Sequence, residues 1–268
     1  PTRNILLAED GKTNQMVAVS LLTKWGHEVT VAENGQAAIE LWQTRPFDLI
    51  LMDVQMPVLD GLQATQSIRR LEQASGHHTP IVAMTARALK GDRNRCLAAG
   101  MDDYISKPVR RSELYRVLCN LGSPASPGQA AVRQADETSP PPQTNPPQDG
   151  PPAIDWEQAI DKMGGDRQLL RSVLEVTLRE FPRLKDDLRE ALHEQDAPRA
   201  QRVAHTIKGE AAAIAALATQ QAAAVVEKLA AENDLAVAGR ELPQLNATID
   251  ELLRHCEEYG DQHETRRG

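Results

Sequence analysis

Over the first 120 residues, short apolar runs alternate with segments whose apolar positions recur every three or four residues. The runs NILLAED, HEVTVA, FDLILMD, PIVAMTA and DDYIS have the length of strands. Helical segments separate them, the first ending near Trp25 and Gly26 and the others starting near Gln36, Gly61, Lys90 and Ser112. The pattern predicts five βα units. Leu49 to Met52 are apolar without alternation, which suits a parallel strand covered by helices on both faces. Gly26 and Gly100 directly follow helical runs, where a C-terminal cap calls for a residue that tolerates positive φ.

Beyond residue 152 the strand pattern is gone. Leu170, Val173, Leu174, Thr177, Phe181, Leu184, Leu188 and Leu192 step by three and four, predicting one long amphipathic helix with Asp166 as its N-cap after Gly164 and Gly165. Further stripes run through Ala200, Val203, Ile207, Ala211 and Ile214, from Leu217 to Leu229, and through Leu242, Leu245, Ile249, Leu252 and Leu253. Four main helices joined by short turns imply an antiparallel bundle. Residues 122–152 are dominated by Pro, Gly, Ser, Gln and Ala, which predicts a flexible linker with a span of roughly 30 Å. The expected organisation is a doubly wound, five-stranded α/β domain at 1–121, a linker at 122–152, a four-helix bundle at 153–262 and a disordered tail at 263–268.

Composition allows this and excludes other classes. A hydrophobic content of 41% in 268 residues suffices for two cores. No run approaches the roughly 18 apolar residues of a membrane span and no signal pattern opens the chain, so it reads as soluble and cytoplasmic, without membrane contact. Cys96, Cys119 and Cys256 are far apart and form no CxxC pair, which suggests ordinary reduced thiols. Residues 1–121 carry 14 Lys and Arg against 13 Asp and Glu, and residues 153–268 carry 15 against 22. Neither half has the clustered basic footprint of a nucleic-acid surface.

In an open parallel sheet, function gathers beyond the carboxyl ends of the strands. Here the first strand ends in Glu9 and Asp10, the third in Asp53 and the fourth in Thr85, and Lys107 follows the fifth. With strands one and three adjacent, as in the usual doubly wound order, three carboxylates, a hydroxyl and an ammonium meet at one edge. Crowded carboxylates have raised pKa values unless a cation intervenes, and a hard divalent ion such as Mg²⁺ suits oxygen ligands.

The segments AED, DLILMDVQMPVLDG, IVAMTA and GMDDYISKP resemble the signature segments of bacterial response-regulator receiver domains, over about residues 3–120. The resemblance implies a flavodoxin-like fold in which Asp53 accepts a phosphoryl group. It implies Mg²⁺ held by Glu9, Asp10, Asp53 and the backbone carbonyl of Gln55, with Thr85 and Lys107 binding phosphoryl oxygens. Tyr104 matches the switch aromatic, the Lys107–Pro108 bond is expected to be cis, and docking is expected around Asn14, Gln15 and Ala18. Gly11 departs from the family, whose members often place a polar residue after the acidic pair.

In the bundle, His205 lies in AHTIKGEAAA, and the apolar stripe of its helix centres on the opposite side, which predicts a solvent-facing imidazole. Lys208 shares that face and could pair with a phosphoryl group, while Gly209 and Ala212 keep the surface small for an approaching partner. Glycine inside a helix costs roughly 1 kcal/mol relative to alanine, and close approach is a reason to tolerate it. The segment resembles the HxxKG motif of histidine-containing phosphotransfer domains, over roughly residues 153–260. Glu210, about 140° round the helix from His205, departs from the small residue common there and is expected to perturb docking.

The two resemblances together imply a phosphorelay module: Asp53 receives a phosphoryl group from a kinase phosphohistidine and exchanges it with His205 for onward transfer to a response regulator. The order matches the carboxyl end of hybrid sensor histidine kinases. With Pro1 almost at the first strand, the chain is expected to be a fragment of such a kinase, whose parent could be anchored in the inner membrane. The implied partners are the kinase core and a downstream receiver. No ATP-binding motif is present, so the chain itself is not expected to be a kinase. Two alternatives compete. A Rossmann-like aspartyl phosphohydrolase would want an aspartate two residues after Asp53, where Gln55 stands. A degenerate receiver that only binds partners would have lost an acid or the lysine, and Glu9, Asp10, Asp53 and Lys107 are all present.

Overall fold

In a computed structural model the described residues are 2–85, 90–120 and 152–264. The first domain comprises β1 Asn4–Ala8, α1 Lys12–Lys24, β2 Glu28–Ala32, α2 Gly35–Thr44, β3 Leu49–Asp53, α3 Gly61–Ser75, β4 Ile81–Thr85, α4 Lys90–Ala98, β5 Asp103–Ser106 and α5 Arg111–Asn120. The strands form one parallel sheet in the order β2-β1-β3-β4-β5. The five βα units are those the sequence predicts.

Each sheet face buries its own core. Alternate residues of the central strands, Ile5, Leu7, Leu49 and Leu51, meet Ala18, Leu22, Leu114 and Val117 of α1 and α5. Leu6, Ala8, Ile50 and Met52 meet Ala38, Ile39, Ala64, Ile68 and Cys96 of α2, α3 and α4. Burial on both faces is why these strands are apolar at every position. Gly26 and Gly100 have φ of 84° and 98°, as their capping positions require.

The second domain contains a short helix α6 Trp156–Lys162, then α7 Arg167–His193, α8 Ala197–Ala213, α9 Leu217–Ala231 and α10 Leu235–Glu264. The four expected helices are therefore present and α6 is added. Asp166 caps α7, its Oδ1 accepting from the N–H groups of Gln168 and Leu169 at 2.8 and 2.9 Å. Phe181, Leu188, Ile207, Ile214, Val226, Leu245, Ile249 and Leu252 fill the space between the helices. The last helix extends through Glu264, two residues into the expected tail. The expected linker lies, apart from Pro152, outside the described residues, as does the tail beyond Glu264.

Candidate functional site

Glu9, Asp10 and Asp53 lie side by side because β1 and β3 are neighbours in register and both end at the same edge. One oxygen from each carboxylate falls within 4.8 Å of the others. Asp53 is buried; its Oδ1 accepts from the Gln55 N–H at 3.1 Å and its Oδ2 from Lys107 Nζ at 2.6 Å. Lys107 Nζ also lies 2.6 Å from Glu9 Oε2. The Lys107–Pro108 bond is cis, as expected. Thr85, also buried, ends β4 beside this cluster, and its carbonyl accepts the Lys107 N–H at 2.7 Å. Tyr104 is half-buried against the core, with the Arg93 guanidinium over its ring.

The β3–α3 loop folds closely over Asp53, and Gly61 makes this possible. A Cβ there would stand 2.0 Å from the Asp53 carbonyl oxygen.

The electrostatics follow from burial and like charge. Burial pushes the Asp53 carboxyl well above the usual carboxylate range, Lys107 opposes that rise, and Glu9 and Asp10 add to it. Asp10 is likewise raised, by burial first and then by Glu9. Burial alone would lower the Lys107 ammonium, but Asp53, Glu9 and Asp10 hold it above its ordinary value. One ammonium serves three acids, and the donors are all hard oxygens. This donor set fits a small divalent cation such as Mg²⁺.

The two domains meet along α1, which lies against α7 and α8. Val17 and Leu21 are buried among the apolar residues of the bundle, with Met16 packed beside them. At the end of α1, Lys24 pairs with Asp166. At its start, Thr206 Oγ1 donates to Asp10 Oδ2 at 3.1 Å and the Thr13 N–H donates to Glu210 Oε1 at 3.3 Å. A Cβ on Gly209 would stand 3.4 Å from Asn14 Nδ2.

This arrangement corrects part of the expected docking surface. Asn14 faces Gly209. Ala18 does not face the bundle: it is packed in the core beneath the sheet, because on α1 the bundle-facing stripe is Val17 and Leu21. Gln15 turns to its own domain, its Nε2 donating to the Glu9 carbonyl at 2.6 Å. Ala212 is buried, and its carbonyl accepts from Lys162.

His205 also differs from expectation, being only 6% exposed. The helical wheel places it off the α8 core stripe, yet α9 supplies Glu227, whose Oε1 lies 2.7 Å from His205 Nδ1. The other Glu227 oxygen accepts from Lys208. Although burial opposes it, the hydrogen bonds with His205 and Lys208 hold Glu227 down to about 2, so it is ionised at neutral pH. A cavity of about 790 Å³ separates the domains, and its lining includes Asp53, Gln55 and Thr85 from one side and His205, Lys208 and Glu227 from the other.

Glu227, Val17, Leu21 and Thr206 escaped the sequence reading. Val17 and Leu21 carried a usable signal, since α1 has more apolar residues than one sheet-facing stripe needs. Glu227 carried none, because its role depends on how α9 packs on α8.

Residues 5–118 match the response regulator receiver domain and residues 172–255 match the Hpt domain. The chain carries both modules of a phosphorelay. Among curated proteins it is 31% identical to the signal transduction histidine-protein kinase BarA of Escherichia coli over 189 residues, 70% of this chain and 20% of that protein. It is 33% identical to the sensor protein GacS of Pseudomonas syringae over 193 residues, 72% of this chain and 20% of that one. The alignments span only 7% to 20% of the curated relatives matched first. Among solved structures, the receiver domain of the Pseudomonas aeruginosa sensor histidine kinase PA1611, which has magnesium coordinated in its active-site cleft, is 45% identical over 45% of this chain and 98% of that chain, with a TM-score of 0.42. Among the described residues, no helix is long and apolar enough to cross a membrane.

Proposed function

We propose that Asp53 and His205 exchange a phosphoryl group across the cavity between the receiver and the Hpt domain. The observation that carries this reading is that one cavity is lined by both residues, with Lys208 and Glu227 beside the histidine. With Nδ1 donating its proton to Glu227, the imidazole presents an Nε2 lone pair. Transfer to the histidine breaks the bond from phosphorus to an Asp53 carboxylate oxygen as the bond to His205 Nε2 forms. The freed Asp53 carboxylate stays paired with Lys107, and the positive charge that develops on the ring faces ionised Glu227. Lys107 and Thr85 would hold phosphoryl oxygens on the receiver side.

Glu9, Asp10, Asp53 and the Gln55 carbonyl would hold Mg²⁺, which supplies compensation for negative charge around the phosphoryl group. Tyr104 is assigned the switch role. The kinase core that loads Asp53 and the receiver that unloads His205 are the partners proposed, within a cytoplasmic segment of a hybrid sensor kinase. The domain limits proposed are 1–121 and 153–264.

The test is single-turnover transfer in the full chain, with the phosphoryl group first placed on Asp53 and then followed by its stability to acid and alkali. Wild type should accumulate acid-labile label at His205. Asp53→Asn should take none by this route, and His205→Gln should hold label on Asp53; normal transfer by His205→Gln refutes the assignment.

A further inference from the structure

Two departures from the family pattern, Gly11 in the receiver and Glu210 in the Hpt domain, stand against each other in the structure. Gly11 is the N-cap of α1 and offers no side chain to the helix N-terminus, whose first turn also lacks an acidic residue. Glu210 comes from α8 and is only 1% exposed; its Oε1 accepts from the Thr13 N–H, while Oε2 has no partner. A Cβ on Gly11 would stand 3.4 Å from Glu210 Oε1, 3.1 Å from Glu9 Oε1 and 3.0 Å from Asn14 Nδ2. The carboxyl therefore occupies the place that a capping side chain at position 11 would take.

We propose that Glu210 and Gly11 form a matched pair that selects the receiver accepted by this Hpt domain. Glu210 caps α1 from the other domain, and a receiver with glycine after its acidic pair leaves room for it. A receiver carrying Asp, Asn or a larger residue there caps its own helix and crowds Glu210, leaving a buried carboxyl without a donor. Helix N-termini favour a carboxylate, and a buried one left unpaired is strongly penalised. Burial raises the Glu210 carboxyl to about 7, Glu180, Asp10 and Glu9 raise it further, and the Thr13 N–H opposes the rise. The receiver that unloads His205 downstream should be small at the same position.

This inference rests on reading α8 as the docking helix, and a double-mutant cycle in the full chain tests it. Transfer from phosphorylated Asp53 to His205 is measured for wild type, Gly11→Asp, Glu210→Ala and the double variant. Gly11→Asp should slow transfer roughly ten- to hundred-fold, and Glu210→Ala several-fold. The double variant should return to within a few-fold of Glu210→Ala, because Asp at position 11 then caps α1 unopposed. Additive losses, or a double variant as slow as Gly11→Asp, overturn the proposal. Amide hydrogen exchange at Thr13 gives a readout independent of phosphoryl chemistry. Its protection should fall in Glu210→Ala and recover in the double variant, and unchanged protection in Glu210→Ala also overturns the pairing. Absent transfer in wild type with this exchange pattern intact would instead refute the relay.

Discussion

Leu21→Ala should uncouple the two domains without unfolding either. Leu21 is 4% exposed and belongs to the apolar cluster of the Hpt domain, although it sits on a receiver helix. Truncation to alanine removes three carbons from that contact, about 2 kcal/mol at roughly 0.8 kcal/mol per buried methylene. Because the receiver core beneath α1 is built from Ala18 and Leu22 instead, the loss falls mainly on docking. The docked-to-undocked ratio should fall roughly 30-fold. Small-angle X-ray scattering of the full chain should show a larger radius of gyration, and single-turnover transfer to His205 should slow whenever docking is not saturated. Leu71→Ala, at an exposed position on α3, should change neither. If Leu21→Ala keeps the wild-type scattering profile and transfer rate, the α1 interface is not the working one.

Removing divalent cations with EDTA should abolish labelling of Asp53 by a small phosphodonor, since among the described residues only Lys107 forms ion pairs within the three-acid cluster; equal labelling in its presence would falsify the metal assignment. Gly209→Leu should slow transfer at least tenfold by crowding Asn14, while helix stability is unchanged or higher, as circular dichroism melting can check. Glu227→Gln should reduce transfer by weakening its support of the Nδ1 proton and of charge on the ring, with single-turnover rates as the measure and a wild-type rate as the refuting result. Glu227 is depressed to about 2, so the stability it contributes is present above its unfolded pKa and lost as pH falls from about 4.5 towards 2; the shift corresponds to roughly 3 kcal/mol. Urea unfolding of wild type and Glu227→Gln should therefore differ at pH 7 and converge near pH 2.

The fold was legible wherever periodicity is local. Leu49 to Met52 announced a strand buried on two faces, and Asp166 announced the start of α7, because each depends only on residues close by in sequence. The acidic cluster was legible by a different route: strand ends share an edge once the strand order is assumed. Tertiary placement was less so. Ala18 and Val17 are adjacent, and which of them meets the bundle depends on the rotation of α1 over the sheet. The burial of His205 required knowing that α9 brings Glu227 alongside it. Gly11 and Glu210 were each visible as departures, but 199 positions separate them, and only docking shows that they answer one another.

The Val17 and Leu21 stripe also imposes an order of events. An apolar face buried in the Hpt domain is closed to every other visitor for as long as docking lasts. If the kinase phosphohistidine approaches the same acidic edge over the same helix, the receiver must leave the bundle to be loaded, return to unload, and leave again before a downstream receiver can reach His205. The relay then runs as a shuttle whose ceiling is the undocking rate, and tighter docking would lower throughput once departure becomes the slowest step. A contact of intermediate strength is the one such traffic favours: a few apolar side chains on one helix, with the ion pair Lys24–Asp166 at its edge.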